Sequence, residues 1–133
     1  MGAVRELRLV LTVADFERAL GFYRDALGLE EREAWESQPG RVAILDAGVA
    51  TIELVDEAQA SAIDELEVGR RVAGPVRVAL EVDDSEATAR RLAEAGGELV
   101  AGPVVTPWQD RNVRLEPPDG PQLTLFTVLG SVE

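Results

Sequence analysis

Histidine is absent from this chain of 133 residues, and so is cysteine. Without imidazole there is no side chain that titrates near neutrality unaided, no imidazole metal ligand and no Ser–His or Cys–His nucleophile pair. Without thiols there are no disulfides and no thiolate metal sites, which fits a reducing cytoplasm. Aromatic residues are scarce at 5%, and Trp35 and Trp108 are the only two tryptophans. Basic residues number 13 against 25 acidic ones, a formal net charge of −12. That balance argues against nucleic acid, whose phosphates demand a basic footprint. No apolar run reaches membrane-spanning length, and Met1–Gly2–Ala3 opens without the charged start and apolar core of a secretory signal. The expectation is a cytoplasmic protein that meets neither membrane nor nucleic acid. With 46% hydrophobic residues, one compact domain over 1–133 can bury a core.

What is present centres on Asp15–Gly28. Phe16, Ala19, Leu20, Tyr23 and Leu27 repeat at helical spacing and predict one apolar face. Asp15 suits the N-cap, Glu17 the positive end of the helix dipole, and Gly28 a left-handed stop. Tyr23 reads as helix core with a tethered hydroxyl. Ahead of the helix, Leu7, Leu9, Leu11 and Val13 alternate as in a half-buried strand. After it, strands are expected over Leu29–Ser37, Arg41–Ala47 and Ala50–Val55, the last two joined at Ala47–Gly48. Asp56–Gly74 reads as an acidic connector with a short helix stopped at Gly69.

The opening pattern then returns at a constant offset of 69 residues. Arg8 matches Arg77, Leu11 matches Leu80, Val13 matches Val82, Asp15 matches Asp84, and Gly28 matches Gly97. Strand runs follow at Glu98–Thr106, Arg111–Glu116 and Gln122–Val128, with Pro117–Pro121 as a turn. Each half is therefore strand–helix–strand–strand–strand, and duplication accounts for the order of elements. The halves fall at about residues 4–56 and 75–129, with a connector over 57–74.

FERALGFYRDALGL, RVALEVDD and PPDGPQLTLF together resemble the vicinal oxygen chelate superfamily, which includes glyoxalases, dioxygenases and bleomycin resistance proteins. The resemblance implies an α+β fold of two βαβββ modules whose curled mixed sheets form a cup, with helices outside. It also implies a homodimer. In metal-dependent members four cup-facing positions hold a divalent ion, and these fall here on Arg8, Glu53, Arg77 and Thr124. Only Glu53 keeps a ligand type; a guanidinium has no lone pair to offer and repels a cation. No metal and no other cofactor is therefore expected.

By strand parity Arg8, Glu53, Arg77, Glu81, Thr124 and Phe126 should line the cup. Arg8 and Arg77 then read as forks for a ligand carboxylate or phosphate, or as partners of Glu53 and Glu81 in a charge network replacing the ion. Under the resemblance Trp108 sits on a loop near the pocket mouth and Trp35 on a strand lining it. Both read as stacking faces for a flat ligand or, alternatively, as dimer or satellite-core residues. The functional expectation is a metal-independent protein of the sequestering type that binds an antibiotic or metabolite through Arg8, Trp35, Arg77, Trp108, Thr124 and Phe126. The alternative is an enzyme (lyase, isomerase or dioxygenase-like) with Glu53 as its catalytic group. A third reading is a partner-binding scaffold whose cup is filled by its own Arg–Glu pairs.

Overall fold

The computed structural model describes residues 8–11, 13–37, 40–50, 53 and 56–129. Helix α1 covers Phe16–Leu20, capped by Asp15, whose carboxylate accepts from Arg18 N at 3.1 Å. It continues as a wider, π-helical segment over Gly21–Ala26, with Leu27 N bonded to Phe22 O at 2.9 Å, and the chain turns away at Gly28 (φ 94°). The wider turn changes which residues face inward. Phe22 is completely buried, although the regular helical spacing selects Phe16 and Tyr23. Closing bonds to the fifth residue instead of the fourth shifts the face by about one position per turn.

Strands β1 (Glu30–Ser37) and β2 (Gly40–Asp46) form an antiparallel pair, with Trp35 opposite Val42. The strands expected on either side lie partly outside the described residues, and the described part of each is not strand. Arg8, Leu9, Val10 and Leu11 have no regular structure, and the first three are exposed. Of the run Ala50–Val55 only Ala50 and Glu53 are described, both exposed and outside any strand.

Helix α2 (Glu57–Glu67) follows, capped by Asp56 onto Gln59 N at 2.9 Å and ended before Gly69 (φ 93°). Beyond it β3 (Arg77–Glu81), α3 (Ser85–Glu94), β4 (Glu98–Val105), β5 (Asp110–Glu116) and β6 (Gln122–Val128) complete a βαβββ unit. Asp84 caps α3 onto Ala87 N at 3.1 Å, as Asp15 caps α1. The sheet order is β3-β6-β5-β4, with β3 parallel to β6 and the other pairs antiparallel.

Alternation divides this sheet into two chemically different faces. Val113, Leu115, Leu123 and Leu125 pack with Ala89 and Leu92 of α3 and with Phe22, forming the apolar core. Gly97 makes the approach of α1 feasible: a Cβ there would sit 2.9 Å from Leu115 Cδ2 and 3.1 Å from Phe22 Cε1. The β5–β6 turn also holds α1, since Asp119 O accepts from the Tyr23 hydroxyl at 2.8 Å and its carboxylate accepts from Ala14 N. Burial and the Asp119 charge push the Tyr23 phenol up to about 12. Tyr23 is a half-buried strut with a tethered hydroxyl.

Candidate functional site

The opposite face of the four-stranded sheet is polar. It presents Arg77, Ala79 and Glu81 from β3, Gln122, Thr124 and Phe126 from β6, and Asn112, Arg114 and Glu116 from β5. Helix α2 lies across β4 and β5 on this side. What joins it to the sheet is charge. Arg114, 1% exposed, donates from Nε to Glu67 Oε1 at 2.8 Å and faces Asp64 Oδ1 from Nη2, also at 2.8 Å. Its Nη1 donates to Gln122 Oε1 at 2.8 Å, and Asn112 Nδ2 donates to Glu67 Oε2 at 2.7 Å.

Asp64 also gathers the connector that follows it. Its Oδ2 accepts from Arg71 Nη1 at 2.9 Å and from the backbone N–H groups of Val72 (2.8 Å) and Ala73 (3.0 Å). Burial pushes the Asp64 carboxyl up. The Ala73 and Val72 N–H groups and the two guanidiniums outweigh that, holding it well below the usual carboxylate range. This knot is a buried charge network of other residues than the Arg8, Arg77, Glu53 and Glu81 expected to replace an ion. Glu81 is exposed at the rim and Glu53 is exposed on its own segment, whereas Asp64, Glu67 and Arg114 carry the pairing. Strand parity identifies which face Arg114 occupies, but it does not say that α2 covers that face.

Beside α2 the face remains open along β3. Arg77 is half-buried there, and its Nη1 donates to Thr124 Oγ1 at 2.6 Å. Ala79 is exposed, and Phe126, half-buried, lies opposite Glu81 in the strand register. Burial lowers the pKa of Arg77, as does the Arg114 guanidinium; Glu67, Asp64 and Glu53 act the other way. An arginine so placed still carries its charge at neutral pH. Among the described residues it makes no ion pair, and Thr124 is its one hydrogen-bond partner.

The other expected site residues are distributed as follows. Arg8 is exposed in the irregular opening segment, not on a strand beside Arg77, because the strand that parity assigned to it is not formed among the described residues. Trp35 is on β1, and its side chain lies outside the described residues. Trp108 is 49% exposed at the tip of the β4–β5 hairpin. Two surface clefts occur away from Arg77. One of about 460 Å³ lies between Leu27 and the acidic β3–α3 corner of Glu81, Asp83 and Asp84. The other, about 320 Å³, lies between α1 and the β1–β2 pair. Trp108 lines neither.

The positions that carry an ion in metal-dependent relatives do not fit one here. Of Arg8, Glu53, Arg77 and Thr124, two are guanidiniums, and Arg77 is already bonded to Thr124. That leaves one exposed carboxylate and one hydroxyl that is accepting from a cation, far short of three or four converging donors.

A sequence model of the Glyoxalase/Bleomycin resistance protein/Dioxygenase superfamily matches residues 7–125. The chain belongs to this superfamily. Its fold is similar to that of a glyoxalase/bleomycin resistance protein from Streptomyces sp. CB03234, at 25% identity and a TM-score of 0.54, covering 86% of this chain and 93% of that one. It is also similar to TnmS3, an antibiotic binding protein from the same Streptomyces, at 24% identity and a TM-score of 0.62, covering 96% and 99%. A glyoxalase family protein from Bacillus cereus shares 18% identity with a TM-score of 0.63, covering 98% and 99%. No match was found among curated proteins.

Proposed function

We propose that this protein binds a small organic anion without the help of a metal ion. The ligand has a flat, largely apolar body and an acidic group, and it lies along β3 with the acid on Arg77. The observation that carries this reading is the Arg77–Thr124 pair: a half-buried guanidinium, steadied by one hydroxyl and paired with no carboxylate among the described residues. A half-buried cation that makes no ion pair among the described residues favours an incoming anion, because part of its desolvation is already met by the fold. Phe126 supplies an apolar surface further along the same face, opposite Glu81, and exposed Ala79 lies in the register between them. The likeness to TnmS3 supports a binding role over a catalytic one.

Glu53 supports a second reading, as a general base for an enzyme, since its charge is felt by Arg77. The reading extends to a cytoplasmic homodimer. Val105, Trp108, Val128 and Leu129 are exposed together where the β4–β5 hairpin meets the end of β6, an apolar rim of the kind a second copy covers.

A thermal-shift and calorimetric screen of aromatic carboxylates against aromatic cations tests the assignment. Carboxylates should bind, and Arg77→Gln should weaken them by about 10- to 100-fold, the equivalent of one charge-assisted hydrogen bond. Binding by the cations alone, or carboxylate binding that Arg77→Gln leaves intact, refutes it. Turnover of any bound carboxylate that disappears in Glu53→Ala would favour the enzyme.

A further inference from the structure

Helix α2 is docked in an unusual way for its length. Its buried residues are Ile63, Asp64 and Glu67, so two of the three are carboxylates, and Leu66 is 41% exposed. A helix normally docks through an apolar stripe. Three polar contacts hold this one across the gap: Glu67 with Arg114, Glu67 with Asn112, and Asp64 with Arg114. The remaining partners of Asp64 are Arg71, Val72 and Ala73, which belong to the connector and travel with it.

The floor beneath α2 is also incompletely satisfied. Asn112 is 6% exposed, and its Oδ1 accepts no hydrogen bond. Arg114 Nη2, by contrast, is met by Asp64 Oδ1 at 2.8 Å. Buried polar atoms of a finished interface are paired, so this floor has one acceptor to spare. Arg114 stands opposite Thr124 in the β5–β6 register, and Thr124 also holds Arg77. The covered guanidinium and the open one therefore border the same hydroxyl.

We infer that Glu67 occupies the place of a ligand carboxylate, and that α2 is a charge-held plug displaced by a planar dicarboxylic acid bearing a hydroxyl or N–H donor. One carboxylate rests on Arg77, the other replaces Glu67 on Arg114 and the Asn112 amide, and the donor meets Asn112 Oδ1. The inference rests on the reading of Arg77 as an anion seat and adds the second acid and the movement.

Hydrogen–deuterium exchange and calorimetry with 5-hydroxyisophthalate and with its monoacid counterpart, 3-hydroxybenzoate, test it. At saturation the diacid should speed amide exchange in α2 by tenfold or more while β5 and β6 stay protected. The monoacid should bind at least tenfold more weakly and leave α2 unchanged. Glu67→Gln removes the competing charge, so the diacid should bind that variant about tenfold more tightly, as expected when a closed population no longer has to be opened. Equal affinity for the two acids with α2 exchange unaltered overturns the inference and leaves the Arg77 seat standing. No binding of either acid overturns both.

Discussion

Replacing Arg114 with alanine is expected to lower folding stability by about 3–5 kcal/mol, measured as a fall in the urea midpoint at neutral pH. Arg114 is 1% exposed and answers two carboxylates, Asp64 and Glu67, that are each 2% exposed as side chains. Truncation leaves those charges facing one another in a region that water does not reach, and it strands the Gln122 side-chain oxygen as well. The double change Arg114→Met with Glu67→Leu should restore most of the loss. Asp64 keeps Arg71 and the Val72 and Ala73 N–H groups in that variant, so no isolated buried charge remains. A loss under about 1 kcal/mol for Arg114→Ala, the range of an exposed pair, would mean that the knot is solvated.

Phe22→Ala should be as damaging, at about 3–5 kcal/mol, the usual result of emptying an aromatic core site. Phe22 is the first-half residue in the core cluster of the βαβββ unit, wedged over Gly97 beside Leu92 and Leu115. It also meets Tyr23 edge-to-face, with ring centroids 5.0 Å apart. Phe16→Ala is the control. That ring is only half-buried, under the Arg41 guanidinium at 4.4 Å, and its loss should amount to less than half as much. Equal losses for Phe16 and Phe22 would show that α1 presents its regular helical face and not the one produced by the π-helical segment.

These two residues also mark where the sequence is informative and where it is silent. Asp15 and Asp84 announce both helices because an N-cap is a local event, set by a few neighbouring atoms. Strand parity is nearly as local. Alternation alone puts Arg77 and Thr124 on one face, and they are in contact. Phe22 fails because a single helical period cannot register a widened turn. Arg114, Asp64 and Glu67 fail for another reason: parity assigns a face but not its cover. The one available sign lay in IDELE, where Asp64 and Glu67 follow Ile63 on the inward side of a short helix. Arg8 shows the limit of the repeat, since it matches Arg77 in sequence yet is exposed in irregular backbone among the described residues, whereas Arg77 is half-buried on a strand.

The family resemblance was sound for architecture and limited for chemistry. One scaffold hosts many activities, so the superfamily alone does not choose between binder and enzyme. The choice proposed here comes from charge. Arginine stands at two of the four ion-holding positions, and an anion has more to gain from Arg77 than a metal ion has from Glu53.

The metal content of the purified protein bears on that claim most directly. Elemental analysis without chelator, followed by calorimetric titration with zinc, nickel and ferrous ions, should find only substoichiometric traces and no binding heat that Glu53→Ala removes. A full equivalent of one ion per chain, retained through dialysis and lost in Glu53→Ala, would contradict it.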